Sequence, residues 1–309
     1  MIRNVDIIPY QGLSRVKGRY IPTGIDTIDY ALNDLAPARV TLVVGRANSG
    51  KTVLIKQVVA NAITFNNKVL LINGENDPES WLNELYQCVI GRNNELYTNK
   101  KLNKRWHKEP KPEVLDRLKK WHEGKLSMYS SMDNDLKSME DLFTLMELEI
   151  NLNKHNLVII DNLMSILIAK SSEKYEAQAD FMQKCCDIAK RTNTHIVLVL
   201  HPNKQYQVGQ EMVFENISGT LDLPNKADNI IAVIREYDEE KIASGINGQI
   251  MVLKNRYYGD LPKVITSFEL ETGLLLENGS MGIIEYDFGL DDYLYADERI
   301  QMPFDLGEI

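Results

Sequence analysis

The chain has 309 residues, 44% hydrophobic and 26% charged, an ordinary balance for a soluble globular protein. No apolar run reaches the roughly eighteen residues of a membrane span, and the N-terminal MIRNVDIIPYQ lacks the apolar core of a secretory signal. The net charge of −9 argues against a broad nucleic-acid-binding surface. The charge is nevertheless uneven. Gly91 to Leu126 holds eleven Lys or Arg against five acids, and Glu285 to Ile309 holds eight acids and a single base, Arg299. The three cysteines, Cys88, Cys185 and Cys186, have no metal-ligand spacing and read as free thiols in a reducing compartment. A cytoplasmic protein without a membrane partner is expected.

In chain order, residues 1–22 read as an extended lead-in with Pro9 and Pro22. Thr23 to Leu32 reads as a turn and a short amphipathic helix. Arg39 to Val44 is a short apolar strand, and Gly45 to Thr52, GRANSGKT, follows it. This octet fits the phosphate-loop pattern G-x-x-x-x-G-K-[ST], and the helix expected from Val53 to Ala62 completes the strand–loop–helix context. The backbone N–H groups around Gly45, Asn48, Ser49 and Gly50 are expected to face phosphate oxygens, helped by the positive end of that helix. Lys51 is expected on the β- and γ-phosphates of ATP or another nucleoside triphosphate, and Thr52 on Mg2+.

Three further strands end in polar residues. Lys68 to Asn73 runs through Gly74 into Glu75, whose carboxylate is placed to polarise an attacking water. Asp77 and Glu79 compete for that role, and Asp77-Pro78 also suits a helix cap. Asn156 to Ile160 ends in Asp161, a Walker B pattern that holds Mg2+ directly or through water. His195 to Leu200 ends in His201, placed to sense the γ-phosphate. Helices are expected at Pro78–Val89, Ser138–Asn153 and Tyr175–Thr192, and late strands at Asn229–Ile234 and Gln249–Lys254. The lysine-rich stretch around Trp106 and Trp121, above all Glu109 to Glu123, reads as a helical hairpin inserted at 91–126. Continuous apolar strands alternating with helices predict an α/β fold with a mostly parallel central sheet flanked by helices. The late strands, joined by short turns, predict antiparallel edge strands. The expected organisation is a lead-in at 1–22, one ATPase domain at 23–284 and an acidic tail at 285–309.

The order of GRANSGKT, NGE, VIID and VLVLHPNK resembles the RecA-like P-loop ATPase core of hexameric replicative DNA helicases. It is most similar to Twinkle and phage primase-helicases, with DnaB more distant. The likeness continues through Ile217-Ser218-Gly219-Thr220, Lys226-Ala227-Asp228-Asn229 and Lys254-Asn255-Arg256-Tyr257-Tyr258-Gly259-Asp260 to Glu271-Thr272-Gly273. It spans about residues 20–278.

The resemblance implies roles by position. Lys51, Thr52, Asp161, Glu75 and His201 fall on the nucleotide, Mg2+, Walker B, catalytic-glutamate and γ-phosphate-switch positions. Arg256 falls on the arginine finger that reaches a neighbouring subunit's nucleotide, with Lys254 as its companion. Arg235 and Phe268 fall on the pair that sandwiches the base. Single-stranded DNA is expected on channel loops at Ala169–Gln178, with Lys170 and Lys174, and at Asn203–Asn216, with Lys204. The implied assembly is a homo-oligomer, a hexameric ring. The short, irregular lead-in contrasts with the helical linker that such proteins use to grip a neighbour, so assembly that depends on nucleotide and DNA is expected. No primase zinc module is present. The acidic tail, with Met302-Pro303-Phe304, is a docking candidate for a polymerase, primase or single-strand-binding protein. The other expected class is a RecA-fold ATPase that loads or recombines DNA without unwinding it.

Overall fold

The computed structural model describes residues 20–74, 77–102, 105–130, 138–162, 174–207, 209–279 and 285–289. The central sheet is built from β1 (Val40–Val44), β2 (Val69–Asn73), β5 (Leu126–Ser130), β6 (Leu157–Asp161), β7 (His195–Leu200), β8 (Asn229–Arg235), β9 (Gly248–Asn255), β10 (Lys263–Glu269) and β11 (Leu274–Glu277). Their order is β11-β10-β9-β8-β1-β7-β6-β2-β5. The six strands from β8 to β5 are parallel, while β9, β10 and β11 add antiparallel pairs at one edge. The RecA-like arrangement expected from the apolar runs is therefore present.

Each central strand is apolar throughout because both of its faces are covered. Val43, Leu71, Ile159, Val199 and Ile231 turn to one core, shared with α1 (Asp26–Leu32), α2 (Lys51–Thr64), α3 (Pro78–Ile90) and α4 (Pro112–His122). Leu42, Leu70, Ile72, Val158, Ile160 and Leu198 turn to the other, shared with α5 (Met139–Asn153) and α6 (Lys174–Thr192). Caps set the helix starts. Asp77 accepts from Ser80 N with Pro78 in the first turn, and Ser138 forms a reciprocal capping box with Asp141. Asp77 is thus occupied as a cap. Among the described residues no helix is long and apolar enough to cross a membrane.

The insert differs from expectation. It is not a helical hairpin. Its strands β3 (Tyr97–Leu102) and β4 (Arg105–Pro110) pair as a separate antiparallel ribbon, α4 follows, and β5 then joins the main sheet beside β2. Lysines conceal the ribbon because they break the apolar alternation that marks a half-buried strand. The edge strand β5, LSMYS, is mostly only half-buried and gives little more signal.

The ends of the domain also shift. Ile21 is fully buried and bridges Leu35, so the last residues of the lead-in belong to the core. At the other end Tyr286 and Phe288 are buried, and the Tyr286 hydroxyl donates to Asn61 Oδ1 at 3.0 Å. The first residues of the acidic tail are therefore packed against α2. Residues 1–19 and 290–309 lie outside the described residues.

His195, at the start of β7, has a completely buried ring. Its Nδ1–H donates to Ala36 O at 2.5 Å, and its Nε2 accepts from the Thr41 hydroxyl at 3.0 Å. Burial pushes its pKa down from 6.5 to about 4. Between those values the unfolded chain binds the proton and the native one does not. This contribution to stability is present at neutral pH and is lost as pH falls through the window, by on the order of 3 kcal/mol at its lower end. Urea midpoints at pH 7 and pH 5 should therefore differ more for the native chain than for His195→Gln. An equal difference would contradict the network.

Candidate nucleotide-binding site

The carboxyl ends of β1, β7, β6 and β2 form one edge of the sheet, where ligands of open α/β sheets bind. The phosphate loop leaves β1 there. Gly45 N donates to Leu200 O at 3.3 Å, which ties the loop to the end of β7. Two loop positions take positive φ, Asn48 at 60° and Gly50 at 101°. Gly50 caps α2, whose first residue is Lys51.

Gly45 is required for space rather than for φ. A Cβ there would lie 2.4 Å from Val233 O and 2.4 Å from Ser49 Oγ. The backbone carbonyl has no way to retreat without moving β8. Gly45→Ala should cost at least about tenfold in affinity for a fluorescent ATP analogue, from roughly 1–3 kcal/mol of overpacking taken up by the loop. Unchanged affinity would show that the loop is not the binding element.

Lys51 is buried, and its Nζ donates to Gly45 O at 2.8 Å and Arg46 O at 2.9 Å. The same ammonium lies 3.4 Å from His201 Nδ1. An ammonium has only protons to offer, so Nδ1 is the accepting nitrogen and the ring proton sits on Nε2. The Thr52 hydroxyl donates to Asp161 Oδ2 at 3.4 Å, and Asp161 is buried. Asn73 pairs in register with Asp161, and Gly74 N donates to Asp161 O at 2.6 Å. Lys51, Thr52, Asp161 and His201 thus meet at one point, although they come from three separate parts of the chain. Glu75, the residue after Gly74, lies outside the described residues.

This donor set fits a nucleotide with Mg2+. Ser49 Oγ is buried with no hydrogen-bond partner, an orphan facing the loop. Phosphate oxygens are the acceptors such a cradle suits. For the metal, the chain offers the Thr52 hydroxyl and the Asp161 carboxylate, both hard oxygen donors. Among the described residues no group of three or more His, Cys, Asp or Glu could hold a metal. Mg2+ matches that sparse set because it takes few protein ligands and completes its shell with water and phosphate.

The remaining predicted residues divide between the two edges. Arg235 ends β8 on the phosphate-loop edge, and its Nη1 donates to Asn48 O at 3.4 Å. Phe268 is an exposed residue near the same end of β10, opposite Leu275, whose side chain is in contact range of a Cβ built on Gly50. Lys254 and Arg256 sit at the other edge. In the β8–β9 register Asn255 faces Asn229 and Gly248 faces Arg235, so the two edges are a strand length apart, about 20 Å. Lys254 Nζ donates to Pro224 O and Asn225 O at 2.8 Å, at the end of α7 (Asp222–Lys226). Arg256 Nη2 donates to Asn225 O at 2.8 Å and Lys226 O at 3.3 Å. Its Nη1 lies 3.6 Å from Asp228 Oδ1. Burial and the neighbouring Arg256 lower the Lys254 pKa.

Lys204 is exposed on the loop that leaves His201. The ends of that loop are pinned together by the Pro202–Ile217 bridge and by Asn203 N donating to Asn216 O at 2.7 Å. Its middle is anchored by buried Tyr206 and Met212, packed on Ala232 and Met251 of the sheet. Tyr206 and Met212 also line a pocket with Arg46 and Ser49 of the phosphate loop. Lys170 lies outside the described residues, and Lys174 opens α6 with its side chain undescribed.

Three features at the far edge carry no signal strong enough to single out in the sequence. Asp228 accepts from Val40 N at 2.9 Å and so joins Arg256 to the start of β1. Arg39 stacks over the Tyr257 ring at 3.8 Å. Arg39 also has Tyr258 within 5.6 Å, and Asn33 donates to that hydroxyl at 3.3 Å. An acid before a strand reads as a cap, and only the strings around these residues hinted at a role.

Residues 16–207, more than half of the chain, match the AAA domain family. The chain belongs to this family. Its fold is that of the ATPase core of DnaB-like replicative helicases. It is similar to a solved ATPase domain of a DnaB-like helicase, at 15% identity and a TM-score of 0.66, over 86% of this chain and 95% of that one. It is also similar to a DnaB-like replicative helicase described with its interactions with primase, at 14% identity and a TM-score of 0.70, over 89% of this chain and 68% of that one. Identities this low establish the fold alone. No curated protein matches the chain. As an AAA-domain protein the chain carries an ATPase domain, which implies nucleotide binding at the edge described above.

Proposed function

We propose that this AAA-domain chain is the motor of an ATP-dependent replicative DNA helicase. It assembles as a ring on single-stranded DNA, moves along it and unwinds duplex. The observation that carries this reading is the 3.4 Å contact between Lys51 Nζ and His201 Nδ1. It joins the phosphate loop to the root of the 203–216 loop, whose exposed Lys204 can meet a DNA phosphate.

In this reading the phosphate loop binds the triphosphate, with Lys51 on the β- and γ-phosphates. Mg2+, held by Thr52 and Asp161, supplies charge neutralisation at those phosphates when bound. Glu75 orients the attacking water. Arg256 of one subunit reaches the nucleotide of the next and places a cation where the leaving phosphoryl group is most negative. Arg235 and Phe268 hold the base between a guanidinium and an aromatic face, which gives little base selectivity. Loss of the γ-phosphate changes what Lys51 and His201 contact, and the pinned loop carries Lys204 with it. Lys170 and Lys174 add to the same channel, where a few lysines per subunit repeat around a hexamer. The acidic tail docks a polymerase, primase or single-strand-binding protein.

Strand displacement tests this. With ATP and a forked duplex bearing a single-stranded tail, the chain should release the labelled strand. Robust DNA-stimulated hydrolysis by an assembled ring without displacement would instead assign a loading or recombination protein.

A further inference from the structure

The β3–β4 ribbon takes no part in the nucleotide site, yet it is built for a partner. It forms its own two-stranded sheet. Its root is fixed by buried Leu96 and by Tyr97, which packs on the same core. Lys111 N closes the root on Leu96 O at 2.9 Å. The end of α3, from which the ribbon rises, is bonded to the turn after β10. Gln87 Nε2 donates to Leu270 O at 2.8 Å and Glu271 O at 3.1 Å, and Arg92 pairs with Glu269. Because β10 runs parallel to β8, that turn lies at the phosphate-loop edge. The ribbon therefore stands on the β10–β11 flank of that edge.

Its two strands carry Lys100, Lys101, Arg105 and Lys108 against one acid, Glu109, in a chain whose net charge is −9. The register sorts them. Lys101 opposite Trp106, Asn99 opposite Lys108 and Tyr97 opposite Pro110 share one face, which has no acid. Lys100 opposite His107 and Leu102 opposite Arg105 share the other face with Thr98 and Glu109. Lys108 is exposed, and its ammonium meets a neutral amide, Asn94 Oδ1 at 2.6 Å, and the Tyr97 ring at 5.8 Å. Neither contact compensates its charge. A lone two-stranded ribbon is marginal in water, and neighbouring like charges weaken it further. Lysines also protect exposed strand edges from aggregation. That need is met without an aromatic residue set opposite a lysine. Cations interleaved with aromatics at strand spacing suit a single-stranded nucleic acid, whose phosphates need charge and whose bases need a stacking surface.

We infer that the β3–β4 ribbon is a second contact for single-stranded nucleic acid, separate from the 169–178 and 203–216 loops, with Lys101, Lys108 and Trp106 as its principal residues. This contact goes beyond the helicase reading and holds whether or not the chain unwinds duplex.

The test is anisotropy of a labelled oligothymidylate with the full chain and a non-hydrolysable ATP analogue, over a series of salt concentrations. Lys101→Ala with Lys108→Ala should weaken binding and lower the slope of log affinity against log salt by about 1.4, about 0.7 per lost phosphate contact. Trp106→Ala should weaken binding roughly tenfold with the slope unchanged, and Trp106→Phe should recover most of the loss. DNA-free hydrolysis and the thermal midpoint should match the parent chain. Parental affinity and slope in all three variants would overturn the inference. It would also be overturned if the variants kept their DNA affinity but lost assembled mass in light scattering, since the ribbon would then bind a neighbouring subunit. Lys204→Ala, run alongside, separates the two claims. A loss there with parental ribbon variants would leave the loop reading standing and remove this one.

Discussion

Lys51→Ala should lower ATP hydrolysis about a thousandfold or more, to the background of a phosphate-release assay. The Lys51 ammonium is not a surface charge that a neighbour could replace. It is buried, it is gripped by two carbonyls of its own loop, and it is the group that meets His201. Removing it strips the cradle of its ammonium and breaks the contact to the 203–216 loop together. Both basal and DNA-stimulated turnover should therefore disappear. The thermal midpoint without nucleotide should move little, since Leu54, Ile55 and Val59 keep α2 in the core. Activity within tenfold of the parent would mean that hydrolysis occurs elsewhere.

The second large effect is at the opposite edge. Arg256→Ala should reduce DNA-stimulated hydrolysis by on the order of 10³-fold, the range for arginine fingers, while a fluorescent ATP analogue still binds. The argument is one of reach. Arg256 follows Asn255, which pairs with the first residue of β8, whereas the phosphate loop lies beyond the last. A gap of about 20 Å is far longer than an arginine side chain, so Arg256 serves no phosphate of its own subunit. In the single chain its guanidinium rests on the last carbonyls of α7, half-exposed and beside buried Asp228. It can turn outward without breaking the core. The alternative is that Arg256 merely holds α7 in place. Alanine would then lower the thermal midpoint and nucleotide affinity together, a pattern distinct from the expected loss of turnover alone.

These expectations show which parts of the molecule were legible before its structure. The strands β1, β6 and β7 are buried on both faces and so read as unbroken apolar runs, and each ends in a residue of the site. The phosphate loop announced itself by glycine spacing. What the pattern of residues could not convey was adjacency. His201 meets Lys51 because β7 lies beside β1, although the two strands are far apart in the chain. Arg256 faces away from its own phosphate loop because β9 runs antiparallel to β8. The ribbon was misread because its lysines erase the alternation of a half-buried strand. Asp228 and Arg39 were passed over because each, taken alone, resembles an ordinary residue before a strand.

The central claim is that the active site is divided between neighbouring subunits, with the phosphate loop on one and Arg256 on the next. Mixing the two inactive variants tests this most directly. In a ring built head to tail from equal amounts of Lys51→Ala and Arg256→Ala chains, roughly a quarter of the interfaces join an intact loop to an intact finger. The account predicts that DNA-stimulated phosphate release reappears on mixing, although neither variant shows it alone. A mixture that assembles on DNA with ATP analogue yet stays as inactive as its components would contradict it.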